Sequence, residues 1–397
     1  MARRVLYVEM AFGFGGSIVS LYQLVQGLDR TRYEPVVLFY RPNAYLPRFE
    51  ALGAKVIVLN PTAQPAPAAV GAPEARRAAG GIRRRLAELA AIGRQALPGA
   101  LRLLRVIRAE RIDLVHLNDV LISNREGILA ARLAGVPCLS HVRAFETLTA
   151  FDRFLTRYVN AFVYISRAIQ ASHEAQGVPA ERGRVIYNAL DLDEFRAGDR
   201  AAARAALGLG ASEQAVGLIG RLVAWKGHTV FLSAMARLAQ THPRLRCLIV
   251  GDTEPTEPAY RQELEALAQR LGLAERVRFT GYQARIPELL PALDVLAHCS
   301  LKPEPFGRVI IEGMAAGVPV VGAAAGAVPE IITDGESGLL VPPGDVEALA
   351  TAVGRLLDEP ALAERVRQAA RRRVQEAFSI QAHVRQVQDV YRALLGD

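Results

Sequence analysis

Short continuous runs of apolar and β-branched residues recur along the chain, and segments with helical spacing lie between them. The first three runs are Arg4–Glu9, Pro35–Tyr40 and Lys55–Leu59. Runs of this length, bounded by turn residues, predict buried strands. The first run leads through the glycine-rich segment Ala11–Ser17 into the apolar-periodic segment Ile18–Leu28. Strand, glycine turn and helix in this order predict the opening of a nucleotide-type α/β domain.

The same pattern continues to the end of the chain, which has 397 residues and is long enough for two ordinary domains. Further strands are predicted at Ile112–Leu117, Val136–Ser140, Ala161–Ile165, Ala215–Ile219, Arg246–Val250, Val277–Thr280, Asp294–His298, Val318–Val321 and Leu339–Val341. Helices are predicted at Thr229–Leu238, Arg308–Ala316, over most of Val346–Glu376, and at Ser379–Leu395.

Composition narrows the class of protein. The chain is 51% hydrophobic with three distant cysteines, which form neither a disulfide framework nor a metal-binding spacing, so a reducing cytosol is expected. Glu9 interrupts the first apolar run, which favours a strand over a signal peptide. No apolar run is long enough to span a membrane. The net charge of +8 favours an anionic substrate or a membrane surface, because no nucleic-acid motif is present.

The segment from Arg76 to Arg111 stands apart in charge, with ten arginines against two glutamates. Apolar residues recur at helical spacing from Ile82 to Ile107, and a break is predicted at Pro98-Gly99. A basic amphipathic helix either lies on an anionic membrane or forms a solvated face over the sheet. Both interpretations remain open at this stage.

The glycine-rich turn after the first strand bears on one alternative, a dehydrogenase with a dinucleotide-binding fold. Gly13 and Gly15 fit the dinucleotide fingerprint, but Ile18 stands where its third glycine belongs. This mismatch counts against a dehydrogenase.

The stretch from Lys302 to Glu330 carries the strongest chemical pattern. Pro303 and Pro305 flank Glu304, and the predicted helix Arg308–Ala316 follows. The free N–H groups and positive dipole end of its first turn suit a phosphate. Because helical side chains lean toward the N-terminus, the Glu312 carboxylate points at the same end, where it can accept hydrogen bonds from a vicinal diol such as a ribose.

Two cations follow the strand Ala215–Ile219, in Gly220-Arg221-Leu-Val-Ala-Trp-Lys226-Gly227. In a loop that precedes a helix, Arg221 and Lys226 are placed for a pyrophosphate, although the loop does not satisfy the Walker A pattern.

Two histidines, His116 and His141, fall at or near strand C-ends, where open α/β sheets bind ligands. Asp191-x-Asp193 resembles a metal-binding D-x-D, but a turn with a helix cap is preferred there, and no metal site is predicted.

Glu304-x7-Glu312, with Pro305-Phe306-Gly307 between and an Ala-Gly-Val-Pro-Val tail, resembles the signature of retaining family 4 glycosyltransferases with the GT-B fold. The loop with Arg221 and Lys226 resembles a second motif of that family. The likeness covers the whole chain, most weakly at Pro61–Arg111. It implies two Rossmann-like α/β domains facing each other across a cleft: an acceptor-side domain over 1–188 and a nucleotide-sugar domain over 189–378. A last helix over 379–397 crosses back to the first domain.

The resemblance also implies roles. Glu304 faces the donor sugar with N–H groups near Phe306 and Gly307, Glu312 takes the ribose hydroxyls, and Arg221 and Lys226 clamp the diphosphate. His141 lies beside the donor sugar and the acceptor, whereas His116 packs or orients its loop. The catalytic residues are therefore His141, Glu304, Arg221 and Lys226. Further donor contacts are expected at Gly15, Gly16, Ser17, Tyr282, Ile286, Arg308 and Val309.

The implied reaction is retaining transfer of a sugar from a UDP- or GDP-linked donor to a glycan or lipid-linked acceptor, in cell-surface polysaccharide or glycolipid synthesis. The donor is a co-substrate, and neither a cofactor nor a metal is expected. The expected place is the cytoplasm, with peripheral contact to the inner face of an anionic membrane. The alternatives are another GT-B enzyme, such as an epimerase or a phosphorylase, and a non-catalytic protein that binds sugar nucleotides.

Overall fold

The computed structural model describes residues 2–10, 15–61, 82–195, 198–253 and 259–397. The chain divides into two compact units, Met1–Asn188 together with Ile380–Asp397, and Ala189–Ser379. Each unit contains one sheet in which all paired strands are parallel, with helices between successive strands. The predicted fold class, two parallel-sheet α/β domains, is confirmed.

The first unit is built on a seven-stranded sheet with the order β3-β2-β1-β4-β5-β6-β7. Its strands are β1 Arg3–Glu9, β2 Tyr33–Phe39, β3 Lys55–Val58, β4 Leu114–Asn118, β5 Cys138–Val142, β6 Ala161–Tyr164 and β7 Gly183–Val185. The order reverses between β1 and β4. The C-terminal edge beside such a reversal is where open α/β sheets bind ligands.

Among the described residues of this unit, six helices connect these strands. They are α1 Gly16–Gln26, α2 Leu46–Ala51, α3 Ile82–Ala109, α4 Arg125–Ala134, α5 Ala150–Leu155 and α6 Arg167–Glu174.

The predicted break at Pro98-Gly99 is wrong, because α3 runs continuously through Pro98. Ala96, Ala100, Leu103 and Ile107 recur at helical spacing and are all buried. Gly99 faces α4, where a Cβ would overlap the Glu126 carboxylate. This packing outweighs the backbone hydrogen bond that a proline removes from a helix.

The second unit has a six-stranded sheet with the order β10-β9-β8-β11-β12-β13. Its strands are β8 Gln214–Ile219, β9 Leu245–Val250, β10 Val277–Gly281, β11 Val295–His298, β12 Val320–Ala323 and β13 Leu339–Val341. Its helices are α7 Arg200–Ala206, α8 His228–Leu238, α9 Ala259–Arg270, α10 Ile286–Leu289, α11 Arg308–Ala316, α12 Val328–Ile331, α13 Val346–Asp358 and α14 Pro360–Ala377. The predicted bounds of α11 are confirmed.

The last helix, α15, spans Ile380–Leu395 and belongs to the first unit. Its buried residues Val384, Val387, Val390 and Tyr391 join the apolar cluster that α1 and β1 form on one face of the first sheet. Burying an apolar side chain of this size contributes about 1.5–3 kcal/mol to folding, so α15 is an integral part of this core.

Over the described ranges, no helix combines the length and the hydropathy that crossing a membrane requires.

Candidate functional site

In the second unit, the loops that follow β8 and β11 pack against each other at the C-terminal edge of the sheet. Gly227 has φ +74, and a Cβ there would overlap the backbone oxygen of Cys299. The Leu301 amide donates to the Trp225 carbonyl at 2.7 Å. This close approach requires a glycine at position 227, and it brings Lys226 beside Glu304.

Glu304 is the centre of the resulting polar cluster. Its Oε2 accepts hydrogen bonds from Lys226 Nζ at 2.8 Å, Ser300 Oγ at 2.7 Å and His298 Nε2 at 3.1 Å. The backbone of Glu304 is held as well, since its carbonyl accepts from the Ala327 amide at 2.9 Å. The structure therefore brings together two predicted catalytic residues, Lys226 and Glu304.

The Glu304 carboxylate is ionised. Burial alone would raise its pKa, but the hydrogen bond from His298 and the charge of Lys226 hold the pKa well below its usual range. Within the described part of the chain, the hydrogen bonds to this carboxylate all end on Oε2. A carboxylate has about four acceptor sites, so Oε1 remains available to a ligand hydroxyl.

Two helices that begin at this edge, α8 and α11, have glycine at the N-cap and no side-chain cap. By contrast, the Asp199 and Asp345 side chains cap α7 and α13. The first-turn N–H groups of α8 and α11 receive no side-chain acceptor from a capping residue. Such helix ends attract anions, which is the chemistry predicted for a diphosphate.

Arg308 and Glu312 lie one turn apart on α11, with Arg308 Nε 3.7 Å from Glu312 Oε1. Burial raises the pKa of Glu312, the charge of Arg308 opposes this effect, and the charge of Glu194 adds to it. Arg308 also reaches back to the Ala189 carbonyl at 3.4 Å.

The other predicted donor contacts of this unit lie at the same edge. Arg221 is exposed in the loop after β8, and Val309 is half-buried in the first turn of α11. Phe306 is buried and packs edge-on against Phe378, while Gly307 adopts φ +99 as the N-cap of α11. Tyr282, exposed by 58%, follows the edge strand β10, and Ile286 begins α10.

The first unit contains a second polar cluster, which the sheet register creates. Glu9 on β1 pairs with Asn118 on β4, and Asn118 pairs with His141 on β5. The three side chains therefore form one row near the C-terminal ends of three neighbouring strands. Asn118 Nδ2 donates to the Glu9 carboxylate.

His141 lies inside β5, and not after the strand as the predicted end at Ser140 implies, because β5 continues to Val142. Its side chain is fully buried. The ring stacks between His116 at 5.3 Å and His383 of α15 at 6.0 Å, measured between centroids. His116 Nε2 lies 3.2 Å from His141 Nδ1. His116 is fully buried as well, and the role expected of it stays a prediction.

Both imidazoles are neutral. Burial, reinforced by the charge of Arg143, lowers the pKa values of His116 and His141 well below the usual range. Arg143 is itself buried and donates to Asn118 Oδ1 at 2.5 Å and to Asn188 Oδ1 at 2.8 Å.

The glycine segment adjoins this row. Gly16 and Ser17 lie in the first turn of α1 and not in the preceding loop, because Gly15 is its extended N-cap. The Ser17 carbonyl accepts a hydrogen bond from Asn118 Nδ2 at 3.4 Å. Gly15 and Gly16 are exposed.

Asp119, which follows β4, combines two unusual properties. It has φ +155, a region that L-residues rarely adopt, and its amide donates to the His141 carbonyl at 3.2 Å. Burial raises the pKa of Asp119 to about 6.

Sequence reasoning missed His298 and Ser300 as partners of Glu304, and Arg143, Tyr391 and His383 as partners of His141. His298 ends β11 and Arg143 follows β5, so a search of strand C-ends would have found both. Nothing in the local sequence marks Tyr391 or His383, since α15 reaches the cluster from a distant part of the chain.

Across the described residues, no three His, Cys, Asp or Glu side chains are grouped to hold a metal ion. The Asp191 side chain accepts a hydrogen bond from the Asp193 amide at 3.1 Å, as in the turn predicted for this Asp-x-Asp segment. Cys138, Cys247 and Cys299 are unbonded and buried.

Comparison with known proteins identifies the family of the chain. The profile of Glycosyltransferase Family 4 matches residues 14–194, and that of Glycosyl transferases group 1 matches residues 199–373. D-inositol 3-phosphate glycosyltransferase of Mycobacterium marinum is 35% identical over 248 residues, which are 62% of this chain and 51% of that protein. The chain thus spans about half the length of the curated relatives it matches.

Two solved structures are similar over nearly the whole chain. The crystal structure of Anabaena HepE in complex with UDP and glucose has a TM-score of 0.82 at 26% identity, covering 98% of this chain and 100% of that one. A Rickettsia africae glycosyltransferase has the same fold, with a TM-score of 0.82 at 19% identity and 99% coverage of both chains. The two sheets, the Glu304–Lys226 cluster and both profiles lead to one conclusion: the chain belongs to the family 4 glycosyltransferases of the GT-B fold.

Proposed function

We propose that the protein is a retaining glycosyltransferase that moves a sugar from a UDP- or GDP-linked donor to a glycan or lipid-linked acceptor. The observation that carries this proposal is the ionised Glu304 carboxylate held against Lys226 beside the uncapped ends of α8 and α11. The similarity to HepE, which was crystallised with UDP and glucose, supports a nucleotide-sugar donor.

Each donor group has a proposed partner. The diphosphate binds Arg221, Lys226 and the first turn of α11, at Phe306, Gly307, Arg308 and Val309. Glu312 accepts from the ribose hydroxyls, and the backbone at Tyr282–Ile286 meets the base. Glu304 Oε1 accepts from a sugar hydroxyl. In the first unit, Gly15, Gly16 and Ser17 serve the donor phosphates, and His141 serves the transfer step.

The proposed reaction keeps the anomeric configuration without an enzymic nucleophile. The bond between the anomeric carbon and the phosphate oxygen breaks, and the acceptor oxygen attacks the same face. The departing phosphate oxygen takes the proton of the acceptor hydroxyl. Arg221, Lys226 and the helix N–H groups stabilise the charge that grows on this phosphate, as prearranged donors do in other transferases.

The decisive experiment is a panel of nucleotide sugars, scored for hydrolysis and for thermal shift. We expect at least one UDP- or GDP-sugar to be turned over by the wild type, and not by Glu304→Gln. Glu336→Gln is the matched control, because Glu336 is exposed in a turn of the same unit. Tight binding of nucleotide without turnover would indicate the non-catalytic alternative, and a requirement for inorganic phosphate would indicate a phosphorylase.

The reaction is proposed to need no divalent metal, because Arg221 and Lys226 supply the positive charge. Thermal stabilisation by UDP or GDP should therefore be the same in EDTA and in Mg²⁺. Binding that vanished in EDTA and returned with Mg²⁺ or Mn²⁺ would contradict this proposal.

The proposed acceptor, in cell-surface polysaccharide or glycolipid synthesis, places the protein in the cytoplasm with peripheral contact to an anionic membrane. Residues 76–81 of the arginine-rich segment lie outside the described residues. On the described part of α3, Leu97 and Leu101 are exposed by 47% and 42%, and Arg102 and Arg105 are exposed beside them. Exposed apolar and basic side chains on one helix suit a membrane surface.

Sedimentation with vesicles that contain phosphatidylserine tests this contact. Wild-type protein should bind and should be released as salt rises, because salt screens the attraction. Arg102→Glu/Arg105→Glu should bind less. The control pair Arg371→Glu/Arg372→Glu lies on α14 of the second unit and should bind like the wild type. Equal binding of both variants would favour a solvated helical face.

A further inference from the structure

Four buried polar side chains form a continuous series in the first unit, from Tyr7 through Tyr391 and His116 to His141. The two tyrosine hydroxyls are 3.1 Å apart, and the Tyr391 hydroxyl lies 2.5 Å from His116 Nδ1. His116 Nε2 then meets His141 Nδ1 at 3.2 Å. A neutral His116 has one ring hydrogen, so the donor in its contact with His141 decides the donor in its contact with Tyr391.

Arg143 decides that direction. Its Nη2 lies 3.4 Å from His141 Nδ1, and a guanidinium donates hydrogen bonds but cannot accept them. His141 Nδ1 must therefore be the unprotonated nitrogen. Arg143 is held in this position by Asn118 and Asn188, which accept from its other nitrogens.

The remaining proton positions follow in order. Because His141 Nδ1 accepts, His116 Nε2 carries a hydrogen and donates to it. His116 is neutral, so its Nδ1 is bare and accepts from the Tyr391 hydroxyl.

His141 carries its own hydrogen on Nε2. This atom is buried and has no hydrogen-bond partner among the described residues. Folded proteins pair nearly all such groups, so a buried donor without a partner needs an explanation. A substrate oxygen that accepts the hydrogen of His141 Nε2 supplies this explanation.

We infer that Arg143 and Tyr391 are positioning residues that hold neutral His141 in its Nε2–H form. His141 then meets a sugar hydroxyl as a hydrogen-bond donor, and it does not act as a base. The identity of this ligand rests on the proposed glycosyl transfer. The proton positions do not, since they follow from contacts within the first unit alone.

Nuclear magnetic resonance of the full chain with ¹⁵N-labelled histidine reads these positions directly. Two-bond ¹H–¹⁵N spectra distinguish a protonated ring nitrogen from a bare one, and single substitutions assign the seven histidines. At pH 7 and without any ligand, His141 should show a protonated Nε2 and a bare Nδ1. Arg143→Lys keeps a donor-only cation and should preserve this form, whereas Arg143→Met should give a mixture of tautomers. A wild-type His141 protonated on Nδ1 would overturn the inference.

Kinetics test the role of Tyr391 with a matched control. Tyr391→Phe removes the hydroxyl in the series, and Tyr33→Phe removes a neighbouring buried hydroxyl that has no partner within the described chain. With UDP-glucose as the donor, Tyr391→Phe should lower kcat about tenfold at unchanged KM, because only orientation is lost. Tyr33→Phe should stay within about twofold of the wild type.

The two readouts separate the possible failures. Equal kcat values for Tyr391→Phe and Tyr33→Phe would overturn the role of Tyr391. If the wild type hydrolysed no nucleotide sugar, the proposed function would fail, while the spectra without ligand would still decide the state of His141.

Discussion

The two polar clusters are built in opposite ways. In the second unit, one ionised carboxylate, Glu304, gathers three donors from Lys226, Ser300 and His298. In the first unit, the central groups are neutral imidazoles, and the cation Arg143 supports them from outside. A charged centre attracts its partners strongly at short range, whereas a neutral centre depends on shape and on the direction of single hydrogen bonds.

This difference predicts different responses to substitution. Loss of the charged centre leaves several donors without their common acceptor, so stability and activity should fall together. Loss of the neutral centre leaves no unpaired charge, so activity should fall more than stability.

The largest effect is expected for Glu304→Ala. Removing one partner of a buried charged cluster costs about 3 kcal/mol of unfolding free energy, and turnover should fall about 1,000-fold. Glu304→Gln keeps one acceptor oxygen and should lose less stability at a similar loss of turnover. Urea unfolding and hydrolysis of the donor sugar measure the two quantities. Glu304→Ala with wild-type stability would show that the three donors do not depend on this carboxylate.

His141→Ala should lower turnover by about 100-fold, within the range for a positioned polar group. UDP affinity should hardly change, because His141 is proposed to meet the sugar and not the nucleotide, which Arg221, Lys226 and Glu312 are proposed to bind. His116→Ala should act mainly on the free energy of unfolding, with a smaller loss of rate. Near-normal transfer by His141→Ala, together with an inactive but folded His116→Ala, would reverse the two assignments.

Glu312→Ala should weaken UDP binding by about 1–3 kcal/mol, because ribose hydroxyls would lose a buried acceptor. Calorimetric titration of UDP into this variant, Glu304→Ala and the exposed control Glu336→Ala separates the two roles. Glu304→Ala should bind UDP nearly as the wild type does. Equal loss of affinity in the Glu304 and Glu312 variants would contradict the division between sugar and nucleotide contacts.

The smallest effect concerns His228, the first residue of α8. Burial and the charge of Lys226 lower its pKa from 6.5 to about 4. The unfolded chain therefore binds a proton more readily, and stability falls as the pH drops below about 6.5. At pH 5.5 the loss should be roughly 1.4 kcal/mol relative to pH 8.

Replacing His228 by leucine removes this titration, so urea unfolding of His228→Leu should depend less on pH between 8 and 5.5. Identical pH dependence in the variant and the wild type would show that His228 does not titrate in this way. The buried His116 and His141 shift in the same direction and are unchanged in both proteins.

Much of the second unit could be predicted from sequence. The bounds of α11 and the proximity of Lys226 to Glu304 follow from local motifs, because each loop leaves the C-end of a strand in the same sheet. The convergence of three donors on one oxygen could not be predicted. Ser300 and His298 reach Glu304 through the local path of the chain after β11, and Lys226 reaches the same oxygen through the contact of two loops at Gly227 and Cys299.

The first unit was harder to predict. The sequence predicts the first six strands and places both histidines near strand ends, but it does not predict β7. The row Glu9, Asn118 and His141 depends on strand register. The tyrosine of α15 enters the cluster through tertiary packing. Strand β5 ends two residues later than predicted, at Val142 and not at Ser140, so His141 lies inside the strand. The continuity of α3 through Pro98 also depends on tertiary packing, because burial against α4 outweighs the local tendency of proline to break a helix.

The place of α15 in the first unit has a consequence for folding during synthesis. Domains usually fold in the order in which they leave the ribosome. Here the first unit lacks Tyr391, Val387 and Val390 until all of the second unit has been made. The second unit should therefore complete its core first, and the first unit should wait as a partly formed sheet with an uncovered apolar face. Chaperones that bind exposed apolar surface would meet this chain mainly through its N-terminal half.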